Sequence, residues 1–395
     1  MKFDLMVIGG GGHVGLPLAL VFAQKGLKVG IYDINAETLS KINAGKMPFL
    51  EEGGEEILKK VLNKTLFTFN DPNIISESKI IVVVIGTPVD EHLNPNFALM
   101  ERFFLNLLEY FRDGQTIILR STVYPGTTEK VSAIFEKNNK KVNISFCPER
   151  VAEGKAIKEI KELPQIISGI GKTAASKASK LFKMINKRII YLSPIEAELA
   201  KLFTNAYRYI NFAIANQFFA IASDYGLDFY SIYDAVTNNY PRARSFSKAG
   251  FAAGPCLFKD TMQLASFNNN NFFLGHSAML VNEGFPNYIV NMVRRSHDIK
   301  KLKIGILGMA FKGNSDDKRE SLAYKLKKIC EVEAKKVYCS DVYIKEPGFI
   351  SAAELIKKSD LVIIGATHKE YRNLKIPQKK LVDVWGFCKG KGYGE

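Results

Sequence analysis

Cysteine is scarce in this sequence and is not arranged for metal binding. The 395 residues include five cysteines, at Cys147, Cys256, Cys330, Cys339 and Cys388. The number is odd, and no two cysteines have the Cys-x-x-Cys spacing of a zinc site. The sequence therefore predicts no bound metal and a location in the reducing cytoplasm.

Long apolar runs and a targeting leader are also missing. The longest strongly apolar run, residues 80–85, is far shorter than the roughly 18 residues needed to span a bilayer. The first residues, Met-Lys-Phe-Asp-Leu, enter a strand-like run without the charged and apolar segments of a signal peptide. We therefore expect neither export nor membrane insertion.

Nucleic-acid-binding motifs are absent as well, although the formal net charge is +15. Lysines recur through residues 158–187, 300–336 and 369–391, where glutamates and apolar residues separate them. Such interleaving is typical of solvated helix faces, and no RNA- or DNA-binding signature accompanies it. We expect no nucleic-acid partner, while the charge suits anionic small molecules.

Short β-rich runs alternate with helical stretches over residues 3–190. This order is typical of a doubly wound sheet with parallel strands. The chain is long enough for two or three domains, and residues 1–192 are predicted to form the first. Its predicted strands are residues 5–8, 28–32, 80–85, 116–119 and 143–147.

A long helix is predicted next. Ser193, Pro194 and Glu196 supply a hydroxyl N-cap, a proline at the first helical position and the acid of a capping box. Helix-compatible sequence continues to Gly226, which gives a helix of about 45 Å at about 1.5 Å per residue. A second helical group follows through Asp298. Residues 193–298 are therefore predicted to form a central helical domain around this spine helix.

The turn after the first strand carries the glycines of a dinucleotide site. Gly10, Gly12 and Gly15 permit a tight turn and close approach to a pyrophosphate, which the following helix N-terminus attracts. Asp33 ends the next strand, where a carboxylate accepts hydrogen bonds from adenine-ribose hydroxyls. The two residues after Asp33 supply no arginine for a 2′-phosphate, so NAD is predicted rather than NADP. A glycine-rich turn that merely precedes a helix is the alternative.

The alternation of strands and helices seen in residues 3–190 returns after residue 303. Strands are predicted at residues 304–307, 337–339, 361–364 and 381–384, with Gly308 after one and Asp341 after the next. The predicted fold class is therefore α/β, with two Rossmann-like doubly wound domains joined by the central helical domain and its long spine helix. Residues 299–395 form the second of these Rossmann-like domains.

Cys256 is the candidate nucleophile. It follows a loop of small residues and precedes a helix predicted to begin near Leu257. A thiol at a helix N-terminus and beside a lysine has a lowered pKa, which yields a thiolate at neutral pH. A buried structural cysteine is the alternative. Lys201 and Asn205 lie one turn apart on the spine helix and face the same site, unless both are simply solvated.

Seven motifs in order along the chain resemble those of the UDP-glucose/GDP-mannose dehydrogenase family. The resemblance covers nearly the whole sequence and all three predicted domains. Its motifs are Gly10-Gly-Gly-Gly-His-Val-Gly-Leu-Pro-Leu-Ala19, Gly86-Thr-Pro88, Ser121-Thr-Val-Tyr-Pro-Gly-Thr-Thr128, Cys147-Pro-Glu-Arg150, Glu196-Ala-Glu-Leu-Ala-Lys201 with Asn205, Gly254-Pro-Cys-Leu-Phe-Lys-Asp260, and Gly308-Met-Ala-Phe-Lys-Gly-Asn-Ser-Asp-Asp-Lys-Arg-Glu-Ser321.

This resemblance implies oxidation of the C6 alcohol of a UDP-sugar to a carboxylate by two hydride transfers. On the matching positions, Cys256 forms a thiohemiacetal and then a thioester, which water hydrolyses. Lys201 and Asn205 stabilise the oxyanion, and Asp260 acts with a water as the general base. Glu149 and Glu153 assist proton transfer and hydrolysis, and Thr122 positions the water. Without the motif, both glutamates read as caps of the following helix.

The resemblance also implies the binding residues. The cofactor set is Gly10, Gly12, His13, Val14, Gly15, Asp33, Thr87, Pro88, Ser121 and Thr122. The substrate set is Glu149, Arg150, Val151, Lys201, Asn205, Arg242, Arg244, Gly254, Lys259, Phe311, Lys312 and Arg319. Within it, Lys312 and Arg319 are assigned to the phosphates or the uridine, since the fork of an arginine suits a diphosphate. The alternative is that both are surface cations near Asp316 and Asp317.

The motifs give conflicting indications of which sugar the substrate carries. Lys259 and Asp260 follow the glucose type, whereas Pro148-Glu-Arg-Val151 resembles the branch that acts on UDP-N-acetylhexosamines. We favour a UDP-N-acetylhexosamine, then UDP-glucose, then GDP-mannose. Asp383-Val-Trp-Gly386 lacks the arginine that family members often place there, which leaves the contacts of the substrate open.

Two other functions compete with this one. A two-electron dehydrogenase of the 3-hydroxyacyl or 6-phosphogluconate type also joins a Rossmann domain to helices, but it needs neither Cys256 nor a second nucleotide domain. A non-catalytic NAD sensor would need only the glycine motif. Because family members pair through the middle helix and this spine is apolar on more than one side, we expect a homodimer.

Overall fold

The β-strands of the protein pair in parallel sheets. The computed structural model describes residues 2–86, 97–251 and 254–388. The strands there are β1 Phe3–Ile8, β2 Val29–Tyr32, β3 Leu66–Phe69, β4 Ser78–Val83, β5 Thr116–Leu119, β6 Asn143–Phe146, β7 Gln165–Ile167, β8 Ile189–Tyr191, β9 Lys303–Leu307, β10 Lys336–Ser340, β11 Leu361–Ile364 and β12 Leu381–Val382.

Helices follow most of these strands. They are α1 Gly15–Gln24, α2 Ala36–Asn43, α3 Gly54–Val61, α4 Phe97–Asn106, α5 Thr127–Lys137, α6 Ala156–Glu162, α7 Gly171–Lys183, α8 Pro194–Asp224, α9 Phe229–Thr237, α10 Leu257–Phe267, α11 Phe273–Ser296, α12 Leu322–Glu333 and α13 Ala352–Lys358. The chain divides into two compact units, Met1–Thr204 and Asn205–Glu395.

The first unit is built on a six-stranded parallel sheet in the order β3-β2-β1-β4-β5-β6. Alternation along β1 explains its central place, because Leu5 and Val7 join one apolar cluster and Met6 and Ile8 join another. A strand buried on both faces needs helices on both faces, which is the doubly wound arrangement. The strand order reverses between β1 and β4, and ligands of such sheets bind beyond the carboxyl ends of the strands there.

The long helix α8 begins where the capping residues predict. The backbone N–H and the hydroxyl of Ser193 both donate to Oε2 of Glu196, at 2.8 and 2.7 Å, and Pro194 is the first helical residue. The helix runs for 31 residues to Asp224, and Gly226 beyond it has a φ of +67°. The predicted spine helix is confirmed.

The second unit carries a four-stranded parallel sheet in the order β10-β9-β11-β12. One apolar cluster of this unit includes buried residues of β9 and β11 and of the helices α11 and α12. With the first sheet and the long helix, this confirms the predicted α/β class with two Rossmann-like sheets. The predicted domain limits at residues 192 and 298 stay predictions. No helix in the described ranges is long and apolar enough to cross a membrane.

Candidate active site

In the turn between β1 and α1, Gly10 and Gly15 leave no room for a side chain, whereas Gly12 does. A Cβ on Gly15 would lie 2.6 Å from the carbonyl oxygen of Gly9, and a Cβ on Gly10 would lie 2.8 Å from Cγ2 of Ile31. These two glycines allow the helix and the neighbouring strand to pack closely. A Cβ on Gly12 would meet nothing nearer than 3.8 Å, so Gly12 leaves an open cradle in front of the helix N-terminus.

Asp33 closes this turn from the end of β2. Its Oδ2 accepts a hydrogen bond from the backbone N–H of Gly11, and its Oδ1 accepts one from Asn35, both at 2.9 Å. The residue remains partly exposed, so its carboxylate can accept further hydrogen bonds from ribose hydroxyls. Ile34 beside it is 86% exposed and uncharged, which offers nothing to a 2′-phosphate.

The other predicted cofactor residues that the structure describes follow β1 and β5. Val14 is the N-cap of α1, and the ring of His13 lies 4.0 Å from that of Phe49. Ser121 and Thr122 are half-buried after β5. Thr87 and Pro88 lie outside the described residues. The open cradle at Gly12, the helix N-terminus and the available carboxylate of Asp33 fit NAD.

A buried arginine holds Glu149 after the last strand of the first sheet. Arg120 is fully buried, and its Nη2 lies 2.5 Å from Oε2 of Glu149. Its Nη1 donates to the carbonyl oxygen of Cys147 at 2.9 Å, and its Nη2 also donates to Oε1 of Gln165 at 3.2 Å. The guanidinium lies 4.6 Å from the centre of the Phe182 ring. Glu149 therefore has one fixed orientation, set by a residue that the sequence analysis did not identify.

The residues after Glu149 keep its second oxygen occupied. Oε1 of Glu149 accepts hydrogen bonds from the backbone N–H groups of Arg150 and Val151, at 2.8 and 3.2 Å. The guanidinium of Arg150 donates to the carbonyl oxygen of Pro164, and burial lowers the pKa of Arg150. Glu153 is half-buried in the turn before α6.

Glu198 is a second buried acid that the sequence analysis missed. Its two oxygens accept hydrogen bonds from the backbone N–H groups of Gly126 and Thr128, at 2.6 and 2.8 Å, and from the Thr128 hydroxyl at 2.6 Å. This carboxylate satisfies the N-terminus of α5, because the N-cap of that helix is Gly126, which has no side chain to do so. Burial raises the pKa of Glu198. The loop that carries Ser121 and Thr122 is thus tied to α8 one turn before the half-buried Lys201.

In the second unit, four predicted residues meet at the start of α10. Cys256 is exposed and is the N-cap of that helix. Asp260, one turn later, is fully buried, and its Oδ2 accepts a hydrogen bond from Nδ2 of the buried Asn205 at 2.6 Å. Nζ of Lys259 lies 2.7 Å from Oδ1 of Asp260. The thiol therefore lies at a helix N-terminus, next to a buried carboxylate that an amide and an ammonium group hold in place.

Two further predicted residues hold the cysteine loop close to the second sheet. Gly254 has a φ of +108°, and a Cβ there would lie 2.5 Å from Cδ2 of Phe311. Only glycine allows the Phe311 ring to pack on this backbone. The Gly254 N–H also donates to the carbonyl oxygen of Glu320 at 3.3 Å.

The predicted cationic residues of the substrate site are less buried. Nζ of Lys312 lies 5.7 Å from the centre of the Phe311 ring. Arg319 is chelated by Asp317, with Nη2 2.6 Å from Oδ2. Arg242 lies over Tyr240 and donates to its hydroxyl at 2.7 Å, and Arg244 is exposed.

A buried Asp–His pair lies beyond the end of β10. Nε2 of His368 lies 3.0 Å from Oδ2 of Asp341, and both side chains are fully buried. Burial opposes the charge of Asp341, but the hydrogen bond from His368 and those from backbone N–H groups outweigh it and lower the pKa of Asp341 to about 2. The acid was visible in the sequence as the residue after a strand, whereas its histidine partner carried no signal.

The lowered pKa of Asp341 predicts a loss of stability in acid. The folded protein binds this proton less readily than the unfolded chain, whose pKa is 3.8. The stabilisation is therefore complete above about pH 4 and is lost as the pH falls towards about 2. In urea titrations at several pH values, the excess stability of the wild type over Asp341→Asn should shrink by roughly 2 kcal/mol across this window. An excess that stayed constant from about pH 5 to about pH 2 would contradict the assignment.

Comparison with known proteins covers all three parts of the chain. Residues 4–187 match the NAD binding domain of the UDP-glucose/GDP-mannose dehydrogenase family. Residues 195–283 match its central domain, and residues 305–390 match its UDP binding domain. These matches confirm the predicted family and NAD as the cofactor.

Individual relatives agree with the family match. The UDP-N-acetyl-D-mannosamine dehydrogenase of Pyrococcus horikoshii is 30% identical over 375 residues, which cover 92% of this chain and 89% of the relative. A solved structure of UDP-D-ManNAc dehydrogenase from Pyrococcus horikoshii has a TM-score of 0.91 at 29% identity and covers 99% of this chain and 97% of that one. The UDP-glucose dehydrogenase from Pyrobaculum islandicum has a TM-score of 0.88 at 26% identity, over 98% and 95% of the two chains. The chain therefore belongs to the UDP-glucose/GDP-mannose dehydrogenase family of NAD-dependent oxidoreductases.

Proposed function

We propose that this enzyme oxidises the C6 alcohol of a UDP-sugar to the uronate, with Cys256 as a covalent nucleophile. One observation carries the proposal: an exposed thiol lies at the first turn of α10, beside the buried pair of Asn205 and Asp260. A structural cysteine would be buried, and a two-electron dehydrogenase would not need this group. A UDP-N-acetylhexosamine is the favoured substrate, because the Pyrococcus relative is named for UDP-N-acetyl-D-mannosamine.

The residues that would hold NAD are Gly10, Gly12, His13, Val14, Gly15, Asp33, Thr87, Pro88, Ser121 and Thr122. NAD would supply the hydride acceptor, with one molecule consumed in each of two successive oxidations. In the first, C6 loses a hydride and its hydroxyl loses a proton to a base, for which we propose Asp260. The Cys256 thiolate then forms a bond to the aldehyde carbon, and the carbonyl electron pair moves to oxygen. This thiohemiacetal loses a second hydride and becomes a thioester.

Hydrolysis releases the product and restores the thiol. Water adds to the thioester carbon, the bond from carbon to sulfur breaks, and the sugar leaves as a carboxylate. Thr122 is proposed to position the water, and Glu149 and Glu153 to accept its proton. Arg120 fixes the orientation of the Glu149 carboxylate.

We propose that two donors stabilise the charge on the sugar oxygen. An amide nitrogen carries two hydrogens, and Asn205 uses one of them to bond Asp260. We propose that the other faces the oxyanion, together with the ammonium group of Lys201, since preorganised donors of this kind lower a barrier most. For the nucleotide we propose Phe311, Lys312 and Arg319, with Arg150, Val151, Arg242, Arg244, Gly254 and Lys259 as further substrate contacts.

We also propose a homodimer that forms through α8 in the cytoplasm. Within the second unit, α8 exposes Tyr207, Ile214, Phe218 and Ile221, each between 40% and 57%, at the spacing of one helix face. A contiguous exposed apolar face of this kind marks an interaction surface. The five cysteines, all within the described ranges, form no disulfide with one another, as expected in a reducing compartment. Sedimentation should give twice the chain mass, and a monomer at micromolar concentration would reject the dimer.

Turnover with a panel of sugar nucleotides tests the proposed function. The purified protein is incubated with NAD and, separately, UDP-N-acetylmannosamine, UDP-N-acetylglucosamine, UDP-glucose and GDP-mannose. We expect two NADH for each uronate formed, with the highest kcat/KM for an N-acetylhexosamine. One NADH for each free aldehyde released would reject the thioester scheme, and the absence of turnover with all four would reject the function.

A further inference from the structure

An aspartate follows Val29–Tyr32 (β2) in the first sheet and Lys336–Ser340 (β10) in the second, but the two aspartates differ in their contacts and exposure. After β2, Asp33 accepts hydrogen bonds from two backbone N–H groups and remains partly exposed. After β10, Asp341 accepts them from the backbone N–H groups of Met309, Ala310, Tyr343 and Ile344 and faces His368 as well. A carboxylate has about four lone-pair sites, so Asp341 has no capacity left for a ribose hydroxyl.

The contacts of Asp341 and His368 meet at one loop. Oδ2 of Asp341 accepts from the N–H of Met309 at 2.6 Å and from that of Ala310 at 3.2 Å. Nδ1 of His368 accepts the N–H of Asn314 at 2.9 Å. The pair therefore holds residues 309–314 at both ends, and Phe311 and Lys312 lie between the two fixed points.

The tautomer of His368 follows from these contacts. Because Nδ1 accepts the Asn314 N–H, the proton must be on Nε2, which then donates to Asp341. The His368 ring therefore links the buried carboxylate of Asp341 to Asn314, at the C-terminal end of loop 309–314. Asn314 has a φ of +56° and its Oδ1 accepts the Lys369 N–H at 2.9 Å, which holds the loop back against the chain beside His368.

We propose that Asp341 and His368 are positioning residues that fix loop 309–314 so that Phe311 and Lys312 present one surface to the nucleotide diphosphate of the substrate. The inference rests on the proposed function, since it takes the UDP part of the sugar nucleotide as the ligand of this loop. It also gives the acid after β10 a role distinct from that of Asp33. Asp33 is available to a ligand, whereas Asp341 is used internally to shape the loop that binds one.

Three substitutions of His368 separate the two halves of the pair. His368→Ala removes both contacts. His368→Asn keeps an acceptor near Nδ1 for Asn314 but loses the donor to Asp341, and His368→Gln keeps a donor near Nε2 but loses the acceptor. His297→Ala is the matched control, because His297 is a half-buried histidine of the same unit whose ring contacts the hydroxyl of the neighbouring Ser296.

Calorimetric titration with UDP, and separately with NAD, is the first measurement. We expect His368→Ala to weaken UDP binding by about tenfold or more, as the loss of buried hydrogen bonds predicts, and the Asn and Gln variants to fall between it and the wild type. NAD affinity should be unchanged in all of them, and His297→Ala should bind both ligands normally. KM for the UDP-sugar should rise by the same factor as the UDP dissociation constant, with kcat within about threefold of the wild type.

Emission of the single tryptophan reports the fold of this unit, because Trp385 donates through its Nε1 to the carbonyl oxygen of Ile364 at 3.0 Å. A variant with native emission and wild-type UDP affinity would overturn the proposal. Equal losses of UDP and NAD affinity would also overturn it, since they would show a merely structural role. If His368→Ala does not fold, the Asn and Gln variants decide by the same criteria. A wild-type protein that binds NAD but not UDP would overturn the proposed function, and this inference with it, from the wild type alone.

Discussion

Cys256→Ala is expected to lower kcat for uronate formation by about a thousandfold or more. Loss of a covalent nucleophile removes the step on which the second oxidation depends, and effects of this size are usual for such residues. Cys256→Ser should be nearly as inactive, because a hydroxyl at a helix N-terminus remains protonated where a thiol ionises. A two-electron dehydrogenase would retain full turnover with serine.

The other cysteines provide the control for this prediction. Burial raises the pKa of Cys147, Cys330 and Cys339 to about 12, and burial with the charge of Asp383 raises that of Cys388 to about 11. These four thiols therefore stay protonated at neutral pH, and iodoacetamide should modify Cys256 first. Cys388→Ala should retain wild-type turnover and the same pattern of alkylation.

Peptide mapping after brief alkylation, together with the rate of uronate formation, checks both statements. Substantial uronate formation by Cys256→Ala would contradict the covalent scheme. So would alkylation of Cys147 or Cys330 ahead of Cys256 in the folded protein.

Arg120→Met is expected to destabilise the first unit by about 3 to 5 kcal/mol, because it leaves the buried carboxylate of Glu149 without its counter-charge. The carbonyl oxygen of Cys147 and the amide oxygen of Gln165 lose a donor in the same change. For a unit of this size, the unfolding midpoint should fall by about 6 to 20 °C. Thermal and urea unfolding of the variant measure the loss.

Two further variants separate charge from geometry. Arg120→Lys keeps the charge but lacks the fork of donors that contacts Cys147, Glu149 and Gln165, so it should fall between the wild type and Arg120→Met. Adding Glu149→Gln to Arg120→Met removes the unpaired charge and should recover part of the lost stability in a double-mutant cycle. A loss below about 1 kcal/mol in Arg120→Met would show that this ion pair does not hold the unit together.

The sequence allowed most of the fold to be predicted, because its signals are local and periodic. The glycine turn before α1 and the Ser193 to Glu196 capping box specify structure within a few residues. Strand β3 was missed, since only Leu66 of its four residues is fully buried and the rest are half-exposed. The short strands β7 and β8, with three residues each, gave too little pattern to recognise.

The site residues that belong to a sequence motif could be predicted. The residues that contact them from distant parts of the chain could not. Asp33 lies at the place that its position after a strand indicated. Arg120 ends an apolar strand and gave no hint of Glu149, which is 29 residues away. Glu198 and the loop before α5 are about 70 residues apart, and His368 is 27 residues from Asp341. Pairings of this kind depend on how elements pack, which a single sequence does not display.

The pairing of Lys259 with Asp260 changes one part of the electrostatic argument. The sequence places a lysine near the thiol and predicts that its charge favours the thiolate. In the fold, that ammonium group lies 2.7 Å from a carboxylate oxygen, so part of its charge is already balanced. The N-terminus of α10 remains as a feature that favours a thiolate at the position of Cys256.

Mass spectrometry of the enzyme during a single turnover tests the covalent step most directly. The protein is mixed with NAD and its best UDP-sugar, quenched in acid at intervals from milliseconds to seconds, and digested for peptide mapping. The account predicts a uronyl thioester on the peptide that contains Cys256, appearing with the second NADH and declining as uronate forms. Complete conversion to uronate with that peptide unmodified at every interval would contradict it.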